Sequence, residues 1–110
     1  MSAQRHEAVV VGSGPAGLAA AATLQDRGVE VVVVERSARI GDSWRKHYDR
    51  LHLHTVRRLS GLPGLPIPRS EGRWVPRDGV ARYLEDYAWG RDLRVRLETE
   101  VERIDRLDGR

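Results

Sequence analysis

Three glycines define the chemistry to look for. Gly12, Gly14 and Gly17 stand in Gly12-Ser-Gly-Pro-Ala-Gly17-Leu, which is the spacing G-x-G-x-x-G. In that pattern the first glycine permits a tight turn, the second lets a pyrophosphate approach the backbone, and the third lets a helix pack against a strand. Pro15 suits the first turn of a helix, where its missing N–H costs nothing. A helix opening there offers unpaired N–H groups and a partial positive charge to a phosphate. Further on, Glu35 follows the run Val31 to Val34. A carboxylate at the end of a strand can accept hydrogen bonds from ribose hydroxyls, and an acid there rather than an arginine disfavours NADP at this site. FAD and NAD both remain open on these residues.

Glycines are common, so the motif has meaning only if the right elements surround it. They do. Val9 to Val11 is a short β-branched run, which suits a strand buried on both faces. Ala16 to Leu24 favours a helix, and Gly28 is placed to stop it. Val31 to Val34 is a second strand. The expected βαβ unit covers 7–35 and predicts an α/β, Rossmann-like dinucleotide-binding domain.

A loop is expected over 36–70. Trp44 within it has two readings, a cover for a planar cofactor ring and a core or lid tryptophan with a bonded indole N–H. His52 and His54 share a face if their segment is extended, but two histidines without a third well-spaced ligand do not make a metal site. Pro63, Pro66 and Pro68 make an irregular connection, packed through Leu62, Leu65 and Ile67. A helix follows at about 78–89, capped by Asp78 and ended by Gly90, with Val80, Tyr83, Leu84, Tyr87 and Ala88 on its apolar face. Short strands are expected over about 94–107. The first alternates around Val95 and Leu97, and the second carries Val101, Ile104 and Leu107. Asp108-Gly109 is a hairpin signal whose return strand would lie beyond Arg110.

Composition narrows the class further. The 110 residues suffice for one domain at most. Cysteine is absent, which removes thiolate nucleophiles, thiolate metal sites and disulfides from these residues. The formal charge is +3, and all but one of the 19 basic residues are arginine. Acids interleave with them and no basic stripe carries aromatics, so nucleic acid is not an expected partner. No apolar run approaches the ~18 residues that span a membrane, and Met1 to His6 is too polar for a secretory leader. The expectation is a soluble, cytoplasmic protein without a membrane partner.

From about Glu7 to Ile104 the chain resembles the N-terminal part of flavin-containing monooxygenases, in particular the plant auxin-synthesising type and its bacterial relatives. The resemblance rests on Gly12-Ser-Gly-Pro-Ala-Gly-Leu18, Val34-Glu-Arg-Ser37, Gly41-Asp-Ser-Trp44, Tyr48-Asp-Arg-Leu-His-Leu-His54, Leu62-Pro63, Pro66-Ile-Pro68 and Tyr83-Leu-Glu-Asp-Tyr-Ala88. The block from Tyr48 to Pro68 is the most specific, because unrelated dinucleotide folds lack it. The resemblance implies FAD held by Gly12, Ser13, Gly14, Pro15, Ala16 and Gly17, and by Glu35 with Arg36. It implies that Ser43 and Trp44 lie near the flavin, so that 36–70 is a flavin-side loop. His54 falls where many relatives carry an asparagine beside the reactive flavin carbon, with Thr55 after it, and His54 is the one catalytic candidate. Val101 matches the position whose backbone usually grips the adenine.

The implied activity is oxygenation of a small organic substrate. NADPH or NADH would reduce FAD, and oxygen would then form a flavin hydroperoxide that oxygenates the substrate. This chain lacks the second glycine-rich motif that would bind the nicotinamide cofactor, and the family's Phe-Gly-His stretch. It is therefore expected to be part of a longer or split protein, completed by a complementary chain or a homodimer. Alone it should be inactive and hold FAD weakly or not at all. The alternatives are another two-dinucleotide-site FAD oxidoreductase and a non-catalytic remnant. A disulfide reductase would need a Cys-x-x-x-x-Cys pair after the second strand, which the sequence lacks.

Overall fold

The valine runs do build a parallel sheet. In the computed structural model, which describes residues 4–43, 61–72 and 75–107, β1 is Ala8–Val11, β2 is Val31–Val34 and β3 is Arg94–Arg96. The order is β1-β2-β3, parallel throughout. Ala8 pairs with Val31 and Val11 with Val34, while Val32 pairs with Arg94 and Val34 with Arg96. Parallel neighbours require crossover connections, which are commonly helical. Helix α1, Pro15–Asp26, joins β1 to β2, and helix α2, Arg77–Gly90, precedes β3. A single 3-10 turn covers Arg69–Glu71. The three strands end at one edge of the sheet, so the segments after Val11, Val34 and Arg96 emerge side by side.

Register decides which valines face the core. Ala8, Val10, Val31, Val33 and Val95 share one face and pack with Leu18, Ala21 and Ala22 of α1 and with Val80, Tyr83, Leu84, Tyr87 and Ala88 of α2. The expected apolar face of α2 is therefore the buried one. All four residues of β2 are buried, as expected of a central strand. β1 departs from expectation. It is not buried on both faces, because Val9 and Val11 are 52% and 60% exposed. The core cluster lies on one face only, and β1 is an edge strand of the described sheet.

Ends of elements show smaller departures. α1 closes with the pattern expected at a glycine stop. Gly28 at φ +81 donates to Gln25 O and Val29 donates to Leu24 O, a pair of bonds that satisfies the last carbonyls. α2 begins after Pro76 without a side-chain cap, so Asp78 does not cap it. Asp78 sits within the first turn, where its charge suits the positive end of the helix dipole. Gly90 is the last helical residue rather than a residue beyond the end.

The second expected extended stretch joins no strand. Residues 97–107 carry no regular element, and Ile104 and Leu107 are 83% and 70% exposed. Asp108-Gly109 lies outside the described residues.

The proline-rich connection is held by α2. Ile67 is buried and Leu62 packs on the core, whereas Leu65 is exposed rather than an anchor. The Tyr83 hydroxyl accepts from Leu62 N–H at 2.7 Å and donates to Leu65 O. The Tyr87 hydroxyl donates to Pro63 O at 2.6 Å, and Arg91 Nη2 donates to the same carbonyl at 3.0 Å while its guanidinium lies 5.3 Å from the Tyr87 ring centre. Burial pushes both phenols above their ordinary pKa, so they remain protonated donors at neutral pH. Tyr87→Phe should cost about 1 kcal/mol, the usual worth of one such bond, because Arg91 still satisfies Pro63 O. A thermal or urea melt of that variant indistinguishable from the unsubstituted chain would show that the Tyr87 bond contributes nothing.

Candidate functional site

The edge where the strands end opens into a cleft of about 590 Å³. Its wall comes from three segments that lie far apart in sequence. Val11, Gly12, Ser13 and Gly14 come from the first turn, Val34 to Ser37 from the end of β2, and Thr99, Glu100 and Val101 from beyond β3, with Ser43 nearby. In open α/β sheets ligands bind in the crevice at this carboxyl edge.

The glycine turn has the shape the motif requires. Gly12 has φ +98, a left-handed conformation that side chains rarely adopt. A Cβ on Gly17 would overlap the Gly12 carbonyl oxygen, so the helix can approach the turn only because residue 17 has no side chain. Gly14 is different. A Cβ there would meet nothing within 4 Å, because it faces the open cleft. Gly14 is also the N-cap of α1 and provides no side-chain cap, and Pro15 follows at the helix start. The early amides of the helix thus retain their capacity for an anionic ligand.

Glu35 is held in place from both sides. Its Oε1 accepts from Ser13 N–H at 2.9 Å and from Ser13 Oγ at 2.6 Å, and its Oε2 accepts from Ser37 N–H at 2.9 Å. Burial pushes its pKa up, but the hydrogen bonds from Ser13 and Ser37 together outweigh burial and hold it below the ordinary glutamate value. The lowered value means that the stabilisation of the ionised form is in place above the unfolded pKa. It is lost as pH falls through the folded one. Glu35 is therefore an anionic acceptor throughout the neutral range.

Backbone bonds join the third segment to the second. Glu35 N–H donates to Arg96 O, Thr99 N–H donates to Glu35 O at 2.8 Å, and Glu98 N–H donates to Ser37 O at 2.9 Å. They set Thr99, Glu100 and Val101 against the carboxylate.

Of the expected site residues, Gly12, Ser13, Gly14, Glu35, Arg36, Ser43 and Val101 meet at this cleft. Pro15, Ala16 and Gly17 form the first turn of α1 and do not line it. Trp44, His54 and Thr55 lie outside the described residues. Ser37, Thr99 and Glu100 line the cleft without having been singled out. Their one available signal was position, since each follows a strand end that the sheet brings to the same edge. Among the described residues no cluster of three or more potential metal ligands exists.

A parallel sheet with a glycine turn and a strand-end acid defines an α/β dinucleotide-binding fold. Residues 9–110 match the family described as pyridine nucleotide-disulphide oxidoreductase, and the chain belongs to that family. Similar curated sequences include the indole-3-pyruvate monooxygenase YUCCA6 of Arabidopsis thaliana, 42% identical over 95 residues, which are 86% of this chain and 23% of that protein. The chain spans about a quarter of the length of the curated relatives it matches. A flavin-containing monooxygenase from Stenotrophomonas maltophilia superposes with a TM-score of 0.83 at 31% identity, over 93% of this chain and 31% of that one. A bacillithiol disulfide reductase from Staphylococcus aureus superposes at 0.86 over 96% of this chain and 32% of that one, but at 19% identity, which shows a shared fold alone. The absence of cysteine separates these residues from the thiol chemistry in the family's name.

Proposed function

We propose that this chain forms the FAD-binding portion of an NAD(P)H-dependent flavin monooxygenase that oxygenates a small organic substrate. The observation that carries the reading is the cleft itself, where an ionised, doubly anchored Glu35 faces an uncapped helix start across a glycine that leaves space for a pyrophosphate. The monooxygenase relatives support flavin chemistry rather than another use of the fold.

Bound FAD would supply hydride acceptance and oxygen activation. The residues of this chain would bind and orient it. Glu35 would accept from the adenosine ribose, the amides at the start of α1 would face the pyrophosphate, and the backbone of Val101 would meet the adenine. Ser43 and Trp44 would lie toward the flavin, and His54 with Thr55 beside its reactive face. NADPH or NADH as reductant, oxygen as co-substrate and the cytoplasm as compartment complete the reading. It involves no nucleic acid and no membrane, and among the described residues no helix is long and apolar enough to cross one. A complementary chain or a second copy would supply the nicotinamide site.

Titration with FAD up to millimolar concentration, followed by the amide resonances of Gly12 to Gly17 and Glu35 to Ser37, tests the reading. Saturable shifts confined to those segments are expected. Glu35→Ala should weaken them by about 1–3 kcal/mol, the typical cost of losing a charged hydrogen-bond acceptor. Unchanged affinity would remove Glu35 from the site, and saturable shifts that map away from those segments in the unsubstituted chain would sink the FAD reading.

A further inference from the structure

Ser13 is the one polar residue among the described ones that is wholly buried, at 0% exposure. It stands in the wall of the cleft yet presents no surface to it. Its hydroxyl lies between two groups of fixed character. Ionised Glu35 can only accept, and the Gly41 N–H can only donate. The Ser13 proton therefore goes to Glu35 Oε1 at 2.6 Å, and its oxygen accepts from Gly41 N–H at 3.2 Å. The Ser13 amide also donates to the same Oε1.

A carboxylate oxygen offers about two lone-pair directions. Ser13 therefore fills Oε1 by itself. The acceptor capacity left for a ligand is on Oε2, which already accepts from Ser37 N–H, and the Ser37 side chain also hydrogen-bonds the carboxylate. The Gly41 turn, meanwhile, is pressed onto α2, since a Cβ at residue 41 would come 3.1 Å from Leu84 Cδ1. One hydroxyl thus connects the glycine turn, the strand-end acid and the segment entering 42–43.

We propose that Ser13 is a positioning residue that does not touch the cofactor: its hydroxyl anchors Oε1 of Glu35 so that Oε2 alone receives the ribose, and it ties that carboxylate to the Gly41 turn. The inference rests on reading the cleft as an FAD site. It reassigns Ser13 from a cofactor ligand to the residue that aims one.

The test is a carboxyl ¹³C NMR titration of Glu35 in the unsubstituted chain and in Ser13→Ala, paired with FAD titrations across the same pH range. Loss of the charge-assisted bond should raise the Glu35 pKa in Ser13→Ala. FAD affinity should fall roughly tenfold at neutral pH, the size expected for one such bond. The deficit should widen as pH falls, because the variant's carboxylate protonates first. Arg36 and Glu100 are the other ionisable residues lining the cleft, and the substitution leaves both in place.

An unmoved Glu35 titration, or a loss of affinity equal at every pH, would overturn the proposal. If Ser13→Ala does not fold, the unsubstituted chain still decides. Its Ser13 hydroxyl proton should exchange slowly with water, and a fast-exchanging hydroxyl overturns the anchor. FAD that binds away from the cleft while Glu35 shifts as expected would refute the functional reading and leave the Ser13–Glu35 anchor standing.

Discussion

Gly14→Val is expected to abolish FAD binding while leaving the fold in place. Gly14 has φ −77 and ψ −177, an extended conformation that valine adopts readily. A Cβ at this position meets nothing within 4 Å, so the side chain leaves the backbone into open space. The open space it fills is the part of the cleft beside the start of α1, where the pyrophosphate would lie. Displacing the phosphates from the helix amides should weaken binding by roughly 100-fold or more, about 2.7 kcal/mol. The measurement pairs FAD titration with far-UV circular dichroism and a melt. An unchanged spectrum with lost binding is the expected result. Retained binding would mean that the pyrophosphate does not pass over Gly14.

Gly17→Ala should do the reverse and damage the fold first. The added Cβ would overlap the Gly12 carbonyl oxygen and come within 3.2 Å of the Gly12 carbonyl carbon and 3.3 Å of Val10 Cγ1. The obstacle is backbone, so no rotamer relieves it. Gly12 cannot easily give way, because its left-handed φ closes the turn between β1 and α1. Forcing extra volume into a packed site costs about 1–3 kcal/mol and occasionally more. Small domains have only roughly 5 kcal/mol or somewhat more to lose, so the substitution should remove a large share of the stability and lower the urea midpoint. A urea melt beside Gly14→Ala as the control reads the difference. Equal midpoints for the two alanine variants would refute the close approach of helix and turn.

Residue 17 and residue 14 also show how much was legible in advance. Their chemical identities and spacing imply their separate roles, because a glycine motif encodes close approach in the local chain. The helix over Pro15–Asp26, the valine strands and the buried stripe of α2 were readable for the same reason. Each depends on neighbours within a few positions, through propensity or periodicity. The role of Glu35 as a strand-end acid was readable too. The family resemblance held, since it depended on residue identities along the chain.

Other features depended on what meets in space. The open face of Val9 and Val11 follows from which strands and helices neighbour β1, and a valine run looks the same at an edge as in the middle of a sheet. Thr99 and Glu100 join the cleft because parallel pairing of β3 with β2 carries them to Glu35, across more than half the chain. The phenol groups of Tyr83 and Tyr87 looked like core packing, and only the path of the proline-rich connection shows that they also hold its carbonyls.

Sequence alone determined the class of fold, the glycine turn and the acid that faces it, because those are written in local order and residue type. Tertiary structure alone decided which oxygen of Glu35 is already occupied, and by what. A hydrogen bond between Ser13 and Glu35 needs neighbouring strand ends that bring the Ser13 Oγ and a Glu35 carboxylate oxygen to 2.6 Å, and no local pattern encodes that distance.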